Sequence, residues 1–208
     1  MNSGLTRITR VLCLLLATVV SAVLTGLSVP SAAWAADESR ALTGFEAVAL
    51  EGAGRVRVEL AERESVRLSG NAKAIESMET LVENRDGVPT LVIRSKSRWW
   101  SSSNAADVQV AVQGPRFRAL AVAGSGEIDA RLSNQPALRL SMAGSGDLRV
   151  SGVTTHRAEV NVAGSGDARV NARQRLRASV AGSGDVRYAG PAKDVSHSSV
   201  GSGRLVRE

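Results

Sequence analysis

Five serines sit between glycines in the same way: Ser125, Ser145, Ser165, Ser183 and Ser202. A nucleophile elbow needs Gly-x-Ser-x-Gly, and five equivalent serines cannot all be nucleophiles, so acyl chemistry is not expected. Four of them are followed two residues later by an acid, giving Glu127, Asp147, Asp167 and Asp185. Glycoside cleavage would need two carboxyl groups facing each other across a groove. A hard cation would need about six to eight oxygens. One acid every ~20 residues meets neither requirement. The two histidines, His156 and His197, have no cysteine or second histidine at ligand spacing, which argues against zinc or iron. The single cysteine is Cys13, close to the N-terminus. No catalytic, cofactor-binding or metal-ligating residue is expected, and the chain reads as a non-enzyme.

Binding chemistry is better represented. Ser95–Asn104 is the one long polar loop, and it carries Arg98, Trp99 and Trp100. An aromatic pair on a loop suits the apolar face of a sugar or a surface partner, which makes these three residues the candidate binding loop. The plain alternative is that the rings cover an exposed edge. The net formal charge of the chain is +6. From Ala36 to Gly114 there are 10 basic and 12 acidic residues, and from Pro115 to Glu208 there are 14 and 8. The cations of the second half are almost all arginine. They read either as solvated faces or as attraction to an anionic polymer or cell surface. No aromatic residues interleave with them to stack bases, so nucleic acid is not expected. The expected partners are a cell-surface or anionic glycan, or another envelope protein.

These groups must be positioned by the elements around the glycines. The string Ala-Gly-Ser-Gly-Asp/Glu begins at Ala123, Ala143, Ala163 and Ala181, and Val200 begins a fainter copy. Successive first glycines are 20, 20, 18 and 19 residues apart. Two and four positions before each first glycine are apolar residues such as Met142 and Leu140. Four and six positions after it are others, such as Leu148 and Val150. Alternation of period two predicts strand, turn, strand in every copy. Gly124, Gly126, Gly144, Gly146, Gly164, Gly166, Gly182 and Gly184 are expected to be structural turn residues, because glycine takes positive φ without a Cβ clash. Gly52-Ala53-Gly54 fits the same grid as a divergent copy. Two five-residue strands cannot bury an apolar face alone, so neighbouring copies must stack. The expected fold is all-β, a right-handed parallel β-helix or β-solenoid built from ~20-residue GSG repeats. A run of hairpins is the competing arrangement.

The first 35 residues carry Arg7 and Arg10, an apolar stretch Val11–Leu27 and the small-x-small site Ala33-Trp34-Ala35. This pattern predicts a signal peptide cut after Ala35, with no membrane span left afterwards. The protein is then exported, to the periplasm or the cell surface. Residues 36–43 are expected to be a flexible leader. Residues 44–208 are expected to be a single domain, irregular over 44–114 and regular over 115–208. Asp86-Gly87 predicts a hairpin turn, and Asn71–Glu79 could hold a turn of helix.

The GSG-Asp/Glu strings, the Gly52-Ala53-Gly54 copy and the signal peptide together resemble the bacterial family called putative auto-transporter adhesin, head GIN domain. The resemblance runs from about Phe45 to Leu205. It implies an exported right-handed β-helix, shaped like the pectate lyases without their catalytic residues, with cell adhesion as its role. Glu127 and Arg204 depart from the aspartate of the other copies, and Arg204 implies that the last level acts as a cap. Two other functions stay open on the same scaffold: a polysaccharide lyase or glycosidase, and a purely structural periplasmic module.

Overall fold

Alternating apolar residues around the glycine pairs form strands, and parallel pairing stacks those strands copy on copy. The computed structural model describes residues 35–96, 108–152 and 155–208. The described chain is all-β apart from one short helix. Strands ending at a first glycine are β2 (Ala47–Gly52), β8 (Ala119–Gly124), β10 (Ala137–Gly144) and β12 (Thr155–Gly164). Strands leaving the turns are β3 (Arg55–Leu60), β9 (Glu127–Arg131) and β11 (Asp147–Ser151). The next strand, β13 (Asp167–Gly182), leaves one turn and runs without a break into the following one. The chain ends with β14 (Val186–Ala189), β15 (Asp194–Gly201) and β16 (Leu205–Arg207).

Two parallel ladders result. The first runs β2, β8, β10, β12, the second half of β13, then β15, and Gly52, Gly124, Gly144, Gly164, Gly182 and Gly201 stand in one register column. The other runs β3, β9, β11, the first half of β13, β14 and β16. Parallel pairing of successive copies excludes two-residue hairpins between them, since a hairpin reverses the chain. The 18-residue interval between Gly164 and Gly182 is the one where β13 spans both ladders with no intervening loop. Its corner is taken by a bulge, where Thr155 pairs with Ala172 and Arg157 with Arg175.

The turns explain both glycines of each pair. First glycines hold φ between +108° at Gly52 and +130° at Gly182, a region closed to most L-residues. Their carbonyls also tie the levels together. Gly144 O accepts from Ser165 N at 2.9 Å and Gly166 N at 3.2 Å, and Gly164 O accepts from Ser183 N and Gly184 N in the same way. So close an approach leaves no room for a side chain. A Cβ on Gly124 would lie 2.6 Å from Gly52 O. A Cβ on Gly166 would overlap Gly146 O and the Met142 sulfur. The second glycine is thus required by space, a reason separate from the φ of the first.

Residues facing inward from both ladders form one apolar cluster. Leu140, Val160 and Leu148 are buried, while Arg139, Arg149 and Arg169 between them are exposed, which matches the phase read from the alternation. Phe45 and Phe117 add the largest buried side chains, with ring centroids 6.4 Å apart.

The irregular part closes one end. β6 (Val88–Ser95) pairs parallel with β2, and β7 (Gln109–Gly114) pairs parallel with β3, forming a level outside the first copy. Antiparallel strands then cover that level: β4 (Ser65–Asn71) on β7, and β5 (Met78–Arg85) on β6. Helix α1 (Ala72–Ser77) joins them, with Asn71 Oδ1 accepting from Lys73 N and Ala74 N and with Ala74 and Ile75 buried. Asp86 and Gly87 turn the β5–β6 hairpin with φ of +52° and +80°, as a primed turn requires. Arg85 on that hairpin has its pKa raised chiefly by a hydrogen bond to Glu51 on β2.

One expectation is corrected. The leader expected at 36–43 supplies β1 (Ala35–Arg40), which pairs antiparallel with β4. Arg40 fastens it by donating to Met78 O at 2.9 Å, Thr80 Oγ1 at 3.0 Å and Ile75 O at 3.3 Å. The last level, expected to act as a cap, ends both ladders among the described residues. β15 is exposed along its whole length, and Arg204 spends its contacts on Asp185 of the level before.

Candidate functional site: an arginine groove on the outer face

The chemistry of the outer face follows from register. Parallel stacking puts residues from successive copies about 4.8 Å apart in columns. One outward column of the first ladder reads Ala119, Arg139, Glu159, Arg177, Ser196. The neighbouring column reads Ala137, Arg157, Arg175, Asp194. Arg139, Glu159 and Arg177 of the first column and Ala137, Arg157 and Arg175 of the second border, with Arg116 and Arg118, an open groove of about 520 Å³. Pro136 and Ala137 give it an exposed apolar floor, supported below by the buried Leu138, Ala158 and Phe117.

The cations of this groove are only partly neutralised. Arg116 and Arg118 share Glu46, Arg139 meets Glu159 at 3.2 Å, and Arg175 meets Asp194 at 2.5 Å. Arg157 and Arg177 make no ion pair among the described residues. They lie on adjacent strands, diagonally offset by two residues, which sets their Cα atoms about 8 Å apart from the strand spacing and rise. Six arginines therefore face three acids at the groove and its rim. Guanidinium forks pair bidentately with carboxylate or sulfate groups. The only carboxylate lining the groove among the described residues is Glu159, already held by Arg139. That is one acid where glycoside cleavage uses two.

The second ladder shows how the acidic column is tolerated. Glu127, Asp147 and Asp167 stand in register. Arg149 bridges Glu127 and Asp147, and Arg187 reaches Asp167 at 2.9 Å and Asp185 at 3.8 Å. Backbone amides help: Asp185 N donates to Asp167 Oδ1 at 3.0 Å. Arg169 turns instead to Glu208. The stacked acids of this ladder are thus met by arginines or a backbone amide.

Arg98, Trp99 and Trp100 lie outside the described residues. In sequence their segment falls between β6 and β7. The arginine groove was not singled out from the sequence, although a signal for it exists. Arg139, Glu159 and Arg177 each lie five positions before a first glycine, and Arg157 and Arg175 lie seven before. Extending the grid by two places upstream finds them.

The family model for putative auto-transporter adhesin, head GIN domain, matches residues 44–155 and, overlapping, 136–192. No curated protein matches the chain. Among solved structures, a putative adhesin from Bacteroides fragilis NCTC 9343 is similar at 14% identity, covering 84% of this chain and 97% of that one, with a TM-score of 0.50. A putative adhesin from Parabacteroides merdae ATCC 43184 shares 14% identity over 83% of this chain and 95% of its own, TM-score 0.42. A putative lipid binding protein from Parabacteroides distasonis ATCC 8503 shares 18% over 83% and 96%, TM-score 0.39. At these identities the likeness is one of fold. Matched by that model over most of its length, the chain belongs to the family of putative auto-transporter adhesins, head GIN domain.

Proposed function

We propose that this protein is an exported, non-enzymatic surface protein that holds an acidic glycan in the arginine groove. The observation that carries this reading is the pair of unmatched guanidinium groups, Arg157 and Arg177, above an apolar floor. Acidic sugars offer carboxylate or sulfate groups to the arginines and apolar ring faces to Pro136 and Ala137. The scaffold is read as a right-handed β-solenoid, with the two ladders as faces of one coil. Export follows from the Arg7/Arg10, Val11–Leu27 and Ala33-Trp34-Ala35 pattern, and family membership supports a surface role. A rigid stack of parallel strands presents its columns at fixed spacing, which suits a repeating polymer better than a small ligand.

The test is calorimetric titration with polygalacturonate, using neutral dextran as the control. The parent binds the acidic chain, weakens as salt is added, and ignores dextran. Changing Arg157 and Arg177 together to Ala lowers affinity about tenfold, equivalent to ~1.4 kcal/mol, with melting unchanged because both side chains are exposed. Equal affinity of the double variant would overturn the groove as the site. Cleavage of the polymer would overturn the non-enzymatic reading.

A further inference from the structure

The two ends of the stack are built differently, and the difference points to a partner. At the closed end the outer strands carry charges: Asp37, Glu38 and Arg40 on β1, and Glu79, Glu83 and Arg85 on β5. Charged edges resist pairing with other chains. At the other end, β15 and β16 are each paired on one side only among the described residues. From Val195 to Gly203 there is no formally charged residue, no proline and no lysine. The only charge on β15, Asp194, is engaged by Arg175. The exposed large hydrophobic residues among the described ones are Val195, Val200 and Val206, and all three stand on this last level.

We infer that this open level is an interface with a second copy of the chain, docked end to end. A separate peptide strand could satisfy one edge only. An identical copy presents two edges, β15 and β16, at the same separation, and can extend both ladders. Self-association of this kind is isologous, the commonest symmetry of soluble oligomers. Edge strands related by a twofold axis perpendicular to the sheet pair antiparallel, with inward residues opposite inward residues. That parity allows two registers that keep most of β15 paired, one centred on His197 and one on Ser198. Ser198 lies on or beside the axis in both. It faces outward, in the column of Asn161 and Ser179, so it can be changed without touching the core. Inward positions on this level are Val195, His197 and Ser199, where the level before has Leu176, Ala178 and Val180, so two of the three apolar places are polar here. The edge is therefore wet enough for a stable free monomer, and the dimer is reversible. Such a dimer carries two arginine grooves on one side and binds a long polymer bivalently.

The test is sedimentation of the purified protein with Ser198→Lys and Ser198→Glu. The parent is expected to be dimeric at about 100 µM, within the range of modest interfaces. Each variant alone is expected to be monomeric, because like charges meet at the axis. An equimolar mixture of the two is expected to recover the dimer. Circular dichroism and melting of each variant at low concentration match the parent, which separates dissociation from misfolding. A monomeric parent at that concentration, or dimers that persist in both single variants, would overturn the inference. The result is independent of glycan binding, which is measured separately on the groove variants.

Discussion

Adding one methyl group at Gly166 isolates the part of the fold that depends on close stacking. Gly166 has no left-handed φ, so alanine there carries no conformational penalty of its own. Its Cβ would overlap the Gly146 carbonyl oxygen and the Met142 sulfur. The thioether can move aside, but the carbonyl is fixed in the ladder. The turn must rise, which weakens the bonds from Ser165 N and Gly166 N to Gly144 O. Overpacking costs ~1–3 kcal/mol, and two weakened hydrogen bonds add ~0.5–1.5 kcal/mol each. Gly166→Ala should therefore destabilise by about 2–6 kcal/mol. The control is Gly87→Ala in the β5–β6 hairpin, where φ is +80° and a Cβ meets nothing within 4 Å among the described residues. It pays only for the left-handed backbone, ~1–2 kcal/mol. Equilibrium denaturation followed by circular dichroism compares the two. If Gly166→Ala cost no more than Gly87→Ala, the account of the second glycine would be wrong.

Two further outcomes are expected. Leu148→Ala removes a fully buried side chain and should cost ~2–5 kcal/mol. Arg149→Ala, whose side chain is about half exposed, should cost under ~1 kcal/mol. The same denaturation curves check the pair, and equal costs would put the inward phase one residue off. If Trp99 and Trp100 belong to a binding tip, changing both to Ala lowers glycan binding and leaves the melting temperature unchanged. If they cover an edge, melting falls and binding per folded molecule does not.

Much of the regular half was legible because its strands obey two local rules. Period two places Leu140, Val160 and Leu148 inside, and repeated glycine pairs mark where the chain must turn. Those rules give the column structure once the strands are taken as parallel. The closed end was legible only in pieces: the Asp86-Gly87 turn and the short helix could be read, but the pairing of β6 and β7 could not, because they occupy a level with no glycine pair to announce it. Their partners β2 and β3 are about 40 or more residues away in sequence, and non-local pairing leaves no mark in a short window. β1 was missed for a related reason. Its polar residues Asp37, Glu38 and Ser39 read as a leader, while what fixes it is Arg40 reaching across to Ile75, Met78 and Thr80. The groove is intermediate. Each arginine alone reads as a solvated charge, and only the register of β10, β12 and β13 brings Arg139, Arg157, Arg175 and Arg177 together. The second glycine is also instructive: positive φ explains Gly164, but only the approach of Gly146 O explains Gly166.

The central claim is that the partner lies across the arginine columns rather than on the acid–arginine columns of the second ladder. Backbone amide chemical shifts recorded during a titration with oligogalacturonate test it most directly. The account predicts shifts concentrated at Ala137–Arg139, Arg157–Glu159 and Arg175–Arg177, disappearing as salt is raised. Shifts concentrated instead around Asp147, Arg149, Asp167 and Arg187, or no shifts at all, would contradict it.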